Sequence, residues 1–444
     1  MTGVDAGSGP AAPLRLRPVW FSTGLSMALG LGLVGLAGYA FVAIVGRVFG
    51  AGADPNDLTA LTSIYLLTNI IGPGLFVALE QEISRSVSHR SATGRSIRPA
   101  ALRGAVLGVA MAAPAVVVLV ALWRPALGSV LNHRLSLLAA LALAVVGSGV
   151  VYWTRGVLSG QQRFVAYAGT LHIEGSSRLL GLVVLLGLAT QVPEAYAFVF
   201  AAGAGIAGLA MVTTLRLGPR QASDSTDRMG RSLMFLVGST LLMQLIANLG
   251  PVVVTYRMPS DALAAGAFAA TFVIARVPLF LFAPVQAMLL PALTRSVATG
   301  DRSAFRKRVL QTLLVIGAFG LLGAVLGGTV GPWAVGTLLG VPTPPGPLVL
   351  VLLAVATSLL MVCQMLQPAL VAAGRQRQVA VAWVAGAVVF VGLLFAPWAP
   401  ITAALVAQLA GPAITVAVAG LALIGLARST AAGTTVEADG SART

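Results

Sequence analysis

Two arginines, Arg178 and Arg276, stand in the middle of long apolar stretches of a 444-residue chain that is 57% hydrophobic and 9% charged. In hydrocarbon surroundings a charged side chain costs at least ~2.5–3.5 kcal/mol, so it is normally turned toward a cavity or a partner. A guanidinium stays charged and grips phosphate or carboxylate through paired hydrogen bonds. Arg276 precedes Pro278 by two residues, and Pro284 and Pro291 follow in the same stretch. Prolines remove backbone donors and free carbonyls, which makes a broken helix. Arg276 is either an anion-binding group on a cavity or a tie that collects those carbonyls, and the broken helix favours the first.

Glu174 lies four residues before Arg178, with His172 nearby. That spacing puts the two charges on one helix face. They form either a self-neutralised pair that makes the helix cheap to bury, or a gate whose carboxylate releases Arg178 on protonation. Arg47 and Arg257 close two apolar stretches and either receive an anion or reach to lipid headgroups. Gln244 and Asn248 share one helix face, as sugar-binding groups or as bonds between helices, the latter being the commoner use. Glu80 and Glu82, close to Arg85, are expected to form interfacial ion pairs.

Other chemistry is not offered. There is no G-x-x-x-x-G-K-[ST], and Lys307 is the only lysine, so no P-loop nucleotide hydrolysis is expected. Cys363 is the single cysteine, and His89, His133 and His172 show no ligand spacing, so no metal or other cofactor is expected. No carboxylate cluster suggests glycosyl transfer, and the chain does not read as an enzyme. The net charge of +15 has no basic run interleaved with aromatics, which argues against nucleic-acid binding.

A soluble domain carries about 25% charged residues. This chain therefore reads as an all-α polytopic membrane protein. A span needs about 20 apolar residues. Twelve are expected, at 21–46, 58–79, 104–123, 136–154, 165–190, 195–215, 232–255, 262–292, 309–330, 348–368, 379–396 and 401–427. The first is too long for a signal-peptide core and reads as a span. Twenty-two Lys and Arg residues fall in the tails and in every second loop, Arg155 among them, against four in the alternate loops. The positive-inside rule then places both termini in the cytoplasm of a multi-pass cytoplasmic (inner) membrane protein in contact with lipid.

The halves echo each other. Gly160-Gln161-Gln162-Arg163-Phe164-Val165-Ala166-Tyr167-Ala168 follows the fourth span, and Gly374-Arg375-Gln376-Arg377-Gln378-Val379-Ala380-Val381-Ala382 follows the tenth. Arg85-Ser86-Val87 matches Arg295-Ser296-Val297, Pro73 matches Pro278, and Arg47 matches Arg257. The shared order indicates a six-plus-six duplication. An even number of spans per half makes it a parallel pseudo-repeat about an axis along the membrane normal. The expected organisation is a tail (1–20), an N-terminal six-helix bundle (21–215), a linker (216–231), a C-terminal six-helix bundle (232–427) and a second tail (428–444).

Taken in order, Gly160-Gln161-Gln162-Arg163-Phe164, Arg276-Val277-Pro278, Leu290-Pro291-Ala292-Leu293, Gly300-Asp301 and Ala373-Gly374-Arg375 give the chain its family character. It resembles the polysaccharide-transporter (O-antigen flippase) branch of the multidrug/oligosaccharidyl-lipid/polysaccharide (MOP) exporter superfamily, over residues 20–427. The resemblance implies two six-helix bundles in a V around a central cavity. It also implies alternating access that carries a lipid-linked sugar between leaflets, with Pro73, Pro278 and Glu174 at coupling or gating positions. Peptidoglycan-precursor flippases match less well, since they typically have fourteen spans.

The leading expectation is a flippase for a polyprenyl-diphosphate-linked oligosaccharide, driven by an ion gradient or the membrane potential. It would act as a monomer beside polysaccharide-assembly enzymes. Arg276, Arg178, Arg47, Arg257, Gln244 and Asn248 are the expected substrate-binding residues. A multidrug efflux antiporter is the alternative, although cationic drugs call for acidic cavity residues. A membrane-embedded polymerase is a further alternative, and a scaffold for cell-wall enzymes would call for an added cytoplasmic domain.

Overall fold

The computed structural model describes residues 18–50, 54–217, 231–279, 282, 293, 296, 301–341, 343–373 and 375–440. Most of the expected linker, the N-terminal tail and the segment carrying Pro284, Pro291 and Gly300 lie outside the described residues. So does Gly374.

Among the described residues twelve helices of 13 residues or more organise the chain: α1 (Pro18–Phe49), α2 (Pro55–Ala92), α3 (Arg98–Ala121), α4 (Leu135–Gly160), α5 (Phe164–Gly187) and α6 (Pro193–Val212). The second set is α7 (Arg231–Arg257), α8 (Ala262–Ile274), α9 (Arg302–Thr329), α10 (Pro347–Ala372), α11 (Gln376–Leu394) and α12 (Pro400–Gly440). No strand occurs among the described residues. Hydrocarbon cannot hydrogen-bond to a backbone, so spanning segments must satisfy their polar groups internally, as helices do.

Eleven of these helices are long and apolar enough to cross a membrane. The twelfth, α5, carries His172, Glu174 and Arg178 within 24 residues. Its polarity has a physical counterpart, because Glu174 and Arg178 are buried.

The packing of the first six helices recurs in the last six. Helix α1 packs on α5, α4 on α6, α5 on α6 and α3 on α4. Likewise α7 packs on α11, α10 on α12, α11 on α12 and α9 on α10. The third helix of each set is the most exposed. Only 17% of the most apolar stretch of α3 is buried, and 11% of that of α9, so both present leucines and valines outward as a lipid-facing helix would. Helix α2 is the reverse, 72% buried, and packs against α7 and α8 of the other half. Small residues permit the closest approaches: a Cβ on Gly147 would lie 2.9 Å from the backbone nitrogen of Gly205.

Three expected boundaries are corrected. Helix α2 continues to Ala92, so Glu80, Glu82, Arg85 and Arg90 lie on helix rather than in a loop. Helix α4 runs to Gly160 and takes in Arg155, which is buried instead of marking a cytoplasmic loop. Helix α12 runs through Gly440, into the expected tail.

Candidate functional site

A cavity of about 340 Å³ lies between the halves, lined by α1, α2, α4, α7, α8 and α10. Tyr65, Asn69 and Pro73 reach it from α2, Tyr152 from α4, Gln244 and Asn248 from α7, Arg276 from the end of α8 and Gln364 from α10. Among the described lining residues Arg276 alone is charged.

Arg276 arrives there because α8 breaks beside it. The helix ends at Ile274, turns at Ala275 and Arg276, and resumes over 277–279. Pro278 has no N–H to give the Ile274 carbonyl, and the Ala275 carbonyl instead accepts from the Thr357 hydroxyl of α10 at 3.0 Å. Among the described residues the guanidinium donates to no freed carbonyl. Its Nη2 donates to Gln408 Oε1 of α12 at 2.8 Å, and its plane lies 4.5 Å from the centre of the Phe272 ring. Its Nη1 is buried and has no hydrogen-bond partner among the described residues. A buried donor left unmade is expensive, and here it belongs to a cationic group on a cavity.

Pro73 interrupts the hydrogen bonding of α2 in the same way, one turn after Asn69. Asn69 Nδ2 donates to the Tyr65 carbonyl at 2.8 Å. Gln244 and Asn248 bond within α7, Asn248 Nδ2 donating to the Gln244 carbonyl and to its Oε1 at 3.3 and 3.2 Å. These bonds stay inside one helix, so the expectation of bonds between helices is corrected, and both amides stand on the cavity wall.

Arg178 is elsewhere, inside the N-terminal half. Its Nη1 pairs with Glu174 Oε1 at 2.8 Å, its Nε donates to the Phe200 carbonyl at 3.0 Å, and it stacks 4.4 Å from the Phe200 ring. The other oxygen of Glu174 is taken by Arg155 Nη2 at 2.7 Å, and Arg155 Nε donates to the Thr170 hydroxyl at 2.8 Å. Tyr167 donates to Glu80 Oε1 at 2.9 Å. Tyr167, whose ring lies 6.0 Å from the Arg155 guanidinium, thereby brings Glu80 of α2 to the edge of this cluster. Of the ion pairs expected around Arg85, the one with Glu82 is present at 2.6 Å. Arg178 therefore does not share the cavity with Arg276. The cluster meets the cavity through two aromatics. Tyr152 lines the cavity and lies under Arg155 (5.6 Å), and Tyr65 packs against Phe200 with ring centres 5.6 Å apart.

Arg47 and Arg257 are engaged with main chain. Arg257 donates to the carbonyls of Leu394, Ala396 and Trp398 at 2.6, 3.0 and 3.0 Å, closing the turn between α11 and α12. Arg47 donates to the Thr337 carbonyl at 3.1 Å, in the short helix Gly331–Leu338 of the other half. That contact is part of a tight seam. A Cβ on Gly46 would lie 1.9 Å from the Leu339 carbonyl oxygen, and one on Gly340, whose φ is +65°, would lie 2.9 Å from the Arg47 Cα. Both arginines thus tie main chain together, Arg257 across the α11–α12 turn and Arg47 across the two halves.

Arg155 and Gln408 are functional-looking residues that sequence reasoning passed over. Apolar residues continue from Gly156 to Leu158 beyond Arg155, which was a signal that the arginine lay inside its helix. Gln408 is a lone polar residue in an apolar run and fully buried. Among the described residues no group of three or more His, Cys, Asp or Glu is placed to hold a metal. Cys363 is buried, and its thiol contacts the Pro412 carbonyl at 3.4 Å.

The fold is that of the MATE-like transporters of the MOP superfamily. It is similar to an inward-facing multidrug resistance MATE family transporter of that superfamily (15% identity, 93% of this chain and 99% of that one, TM-score 0.61). The eukaryotic MATE transporter AtDTX14 is similar too (13% identity, 91% and 95%, TM-score 0.63). So is the lipid II flippase MurJ in an inward closed conformation (10% identity, 90% and 87%, TM-score 0.58). No protein-family model matches the sequence, and no curated protein does.

Proposed function

We propose that this chain is a flippase of the cytoplasmic membrane that moves a polyprenyl-diphosphate-linked oligosaccharide between leaflets by alternating access. The observation that carries this reading is the Arg276 guanidinium, buried on the cavity with one nitrogen unpartnered. A diphosphate supplies the oxygen acceptors that this nitrogen lacks, and a guanidinium offers them a paired, charge-assisted grip. Asn69, Gln244, Asn248 and Gln364 supply neutral donors and acceptors of the kind sugar hydroxyls use. Both termini face the cytoplasm in this reading, and the driving force is an ion gradient or the membrane potential. Polysaccharide-assembly enzymes would supply the passenger and consume it.

Multidrug efflux is the second reading, favoured by the names of several proteins that share the fold. The sign of the cavity separates the two, because cationic drugs need an acidic lining and the described lining residues include no carboxylate. Reconstitution in proteoliposomes distinguishes them directly. A fluorescent polyprenyl-diphosphate sugar placed in the outer leaflet should become protected at a rate that depends on the protein and falls at least tenfold in Arg276→Gln. Protein-dependent movement of an amphiphilic cation, with none of the diphosphate lipid, would establish the efflux reading.

A further inference from the structure

The buried arginines of this protein have partners of two chemical kinds. Arg155 and Arg178 share the carboxylate of Glu174. Each is thereby bonded to an anion, and Glu174 cancels one of their two charges. Arg276 is held at the same hydrogen-bond length by a neutral amide, with 2.8 Å from Nη2 to Gln408 Oε1. The amide is itself fixed at its other end, where Gln408 Nε2 donates to the Ile246 carbonyl of α7 at 3.0 Å. Gln408 is fully buried. A Cβ on Gly250 would come within 3.0 Å of Nε2, so the glycine leaves room for the amide in this position. One side chain of α12 thus spans from α7 to the broken end of α8.

The choice of amide has an electrostatic consequence. An arginine bonded to a carboxylate is a neutral pair seen from a few ångströms away, and its attraction for an incoming anion is largely cancelled. An arginine bonded to an amide keeps its full charge while losing the freedom to turn away. In a low-dielectric setting that difference is large. Nothing else in the described cavity lining offsets it. An uncompensated buried charge is costly, and function is the usual reason for keeping one inside a membrane protein.

We propose that Gln408 is the residue that sets the charge preference of the cavity: it positions Arg276 without neutralising it, so that the site takes an anionic passenger and rejects a cationic one. This rests on the assignment of Arg276 as the anion-binding group. Gln408 is a positioning and selecting residue and is not required to touch the passenger. Glutamate has nearly the same shape and would keep the bond to Arg276 while converting it to an ion pair. It would also lose the donor to Ile246. The shape of the site would survive and its sign would not.

The test uses the full-length protein in nanodiscs, with farnesyl diphosphate as the anionic probe and tetraphenylphosphonium as the cationic one. Wild type should bind the anion and not the cation. Gln408→Glu should weaken the anion at least tenfold and admit the cation. Gln408→Met, which keeps the charge and drops the hydrogen bond, should weaken the anion several-fold and still exclude the cation. Arg276→Gln should abolish anion binding. If Gln408→Glu folds poorly, the Met variant carries the test, and an unchanged anion affinity there would show that Gln408 does not position Arg276. A folded Gln408→Glu protein with wild-type affinity for both probes would overturn the selecting role while leaving Arg276 as the anion site. Anion binding that is equal in wild type and Arg276→Gln would instead remove the assignment on which the proposal stands.

Discussion

Arg155 lies 2.7 Å from Glu174, and that bond joins α4 to α5 at a depth where neither residue meets water. With Arg178 on the second carboxylate oxygen, Glu174 is flanked by cations on both sides. The Glu174–Arg178 pair thus has a third member, supplied by the neighbouring helix.

Glu174→Gln should therefore be a stability mutant. It leaves two buried guanidinium groups facing each other without their shared anion, and breaking a buried pair in this way costs roughly 3–5 kcal/mol. Thermal unfolding in detergent would measure it. A variant with wild-type melting and lost ion coupling would instead make Glu174 a proton carrier.

Arg276→Gln should behave in the opposite sense. It removes a buried charge that has no anionic partner, so the folded protein should be as stable as wild type or slightly more so. Transport should fall at least tenfold. Paired melting and flipping assays on one preparation give both numbers, and a large loss of stability would return Arg276 to a structural role.

Gly46→Ala should open the seam between α1 and the Gly331–Leu338 helix, since the added Cβ would stand 1.9 Å from a backbone oxygen that cannot rotate away. Spin labels introduced at Val48 and Thr337 would report a longer distance in the variant. Gly32→Ala on the same helix is the control, because nothing lies within 4 Å of a Cβ there. An unaltered Val48–Thr337 distance would mean that the seam is loose enough to absorb a methyl group.

Asp54 caps α2, its Oδ1 accepting from the Asn56 backbone N–H at 3.0 Å. That N–H, more than any other contact, holds its carboxyl below the ordinary carboxylate range, with Asn132 and Arg134 assisting. A carboxylate stabilised in the folded state contributes above its unfolded pKa, and the contribution is lost as pH falls through the folded value. Asp54→Ala should cost about 1 kcal/mol at neutral pH. The gap between wild type and variant should narrow below about pH 4, the ordinary aspartate range. Melting curves across that range would check it, and a gap independent of pH would assign the effect to packing.

Much of the fold was legible in the chain, because a bilayer imposes span length and charge placement on sequence directly. The parallel repeat was visible in the turn after the fourth span and its echo after the tenth. Arg276 was visible because a charge beside a proline in an apolar stretch has few explanations. Gln244 and Asn248 could be placed on one face by spacing alone. Less legible was everything decided across helices. Gln408 is 132 residues from Arg276, and no local pattern links them. Arg155, near the end of a span, looks in sequence like an orientation signal, and only the neighbouring Glu174 shows otherwise. The main-chain bonds of Arg47 and Arg257 were hidden for a related reason: their carbonyl partners carry no side-chain signature.

The polar load of α5 bears on how the chain reaches the bilayer in the first place. Within α5 the charges of Glu174 and Arg178 balance each other. Arg155 on α4 is the member with no carboxylate on its own helix, and its partner follows on α5. Leaving the insertion machinery together as a hairpin would let α4 enter lipid with Arg155 already bonded. The bond that joins the two helices in the folded protein would then also couple their insertion.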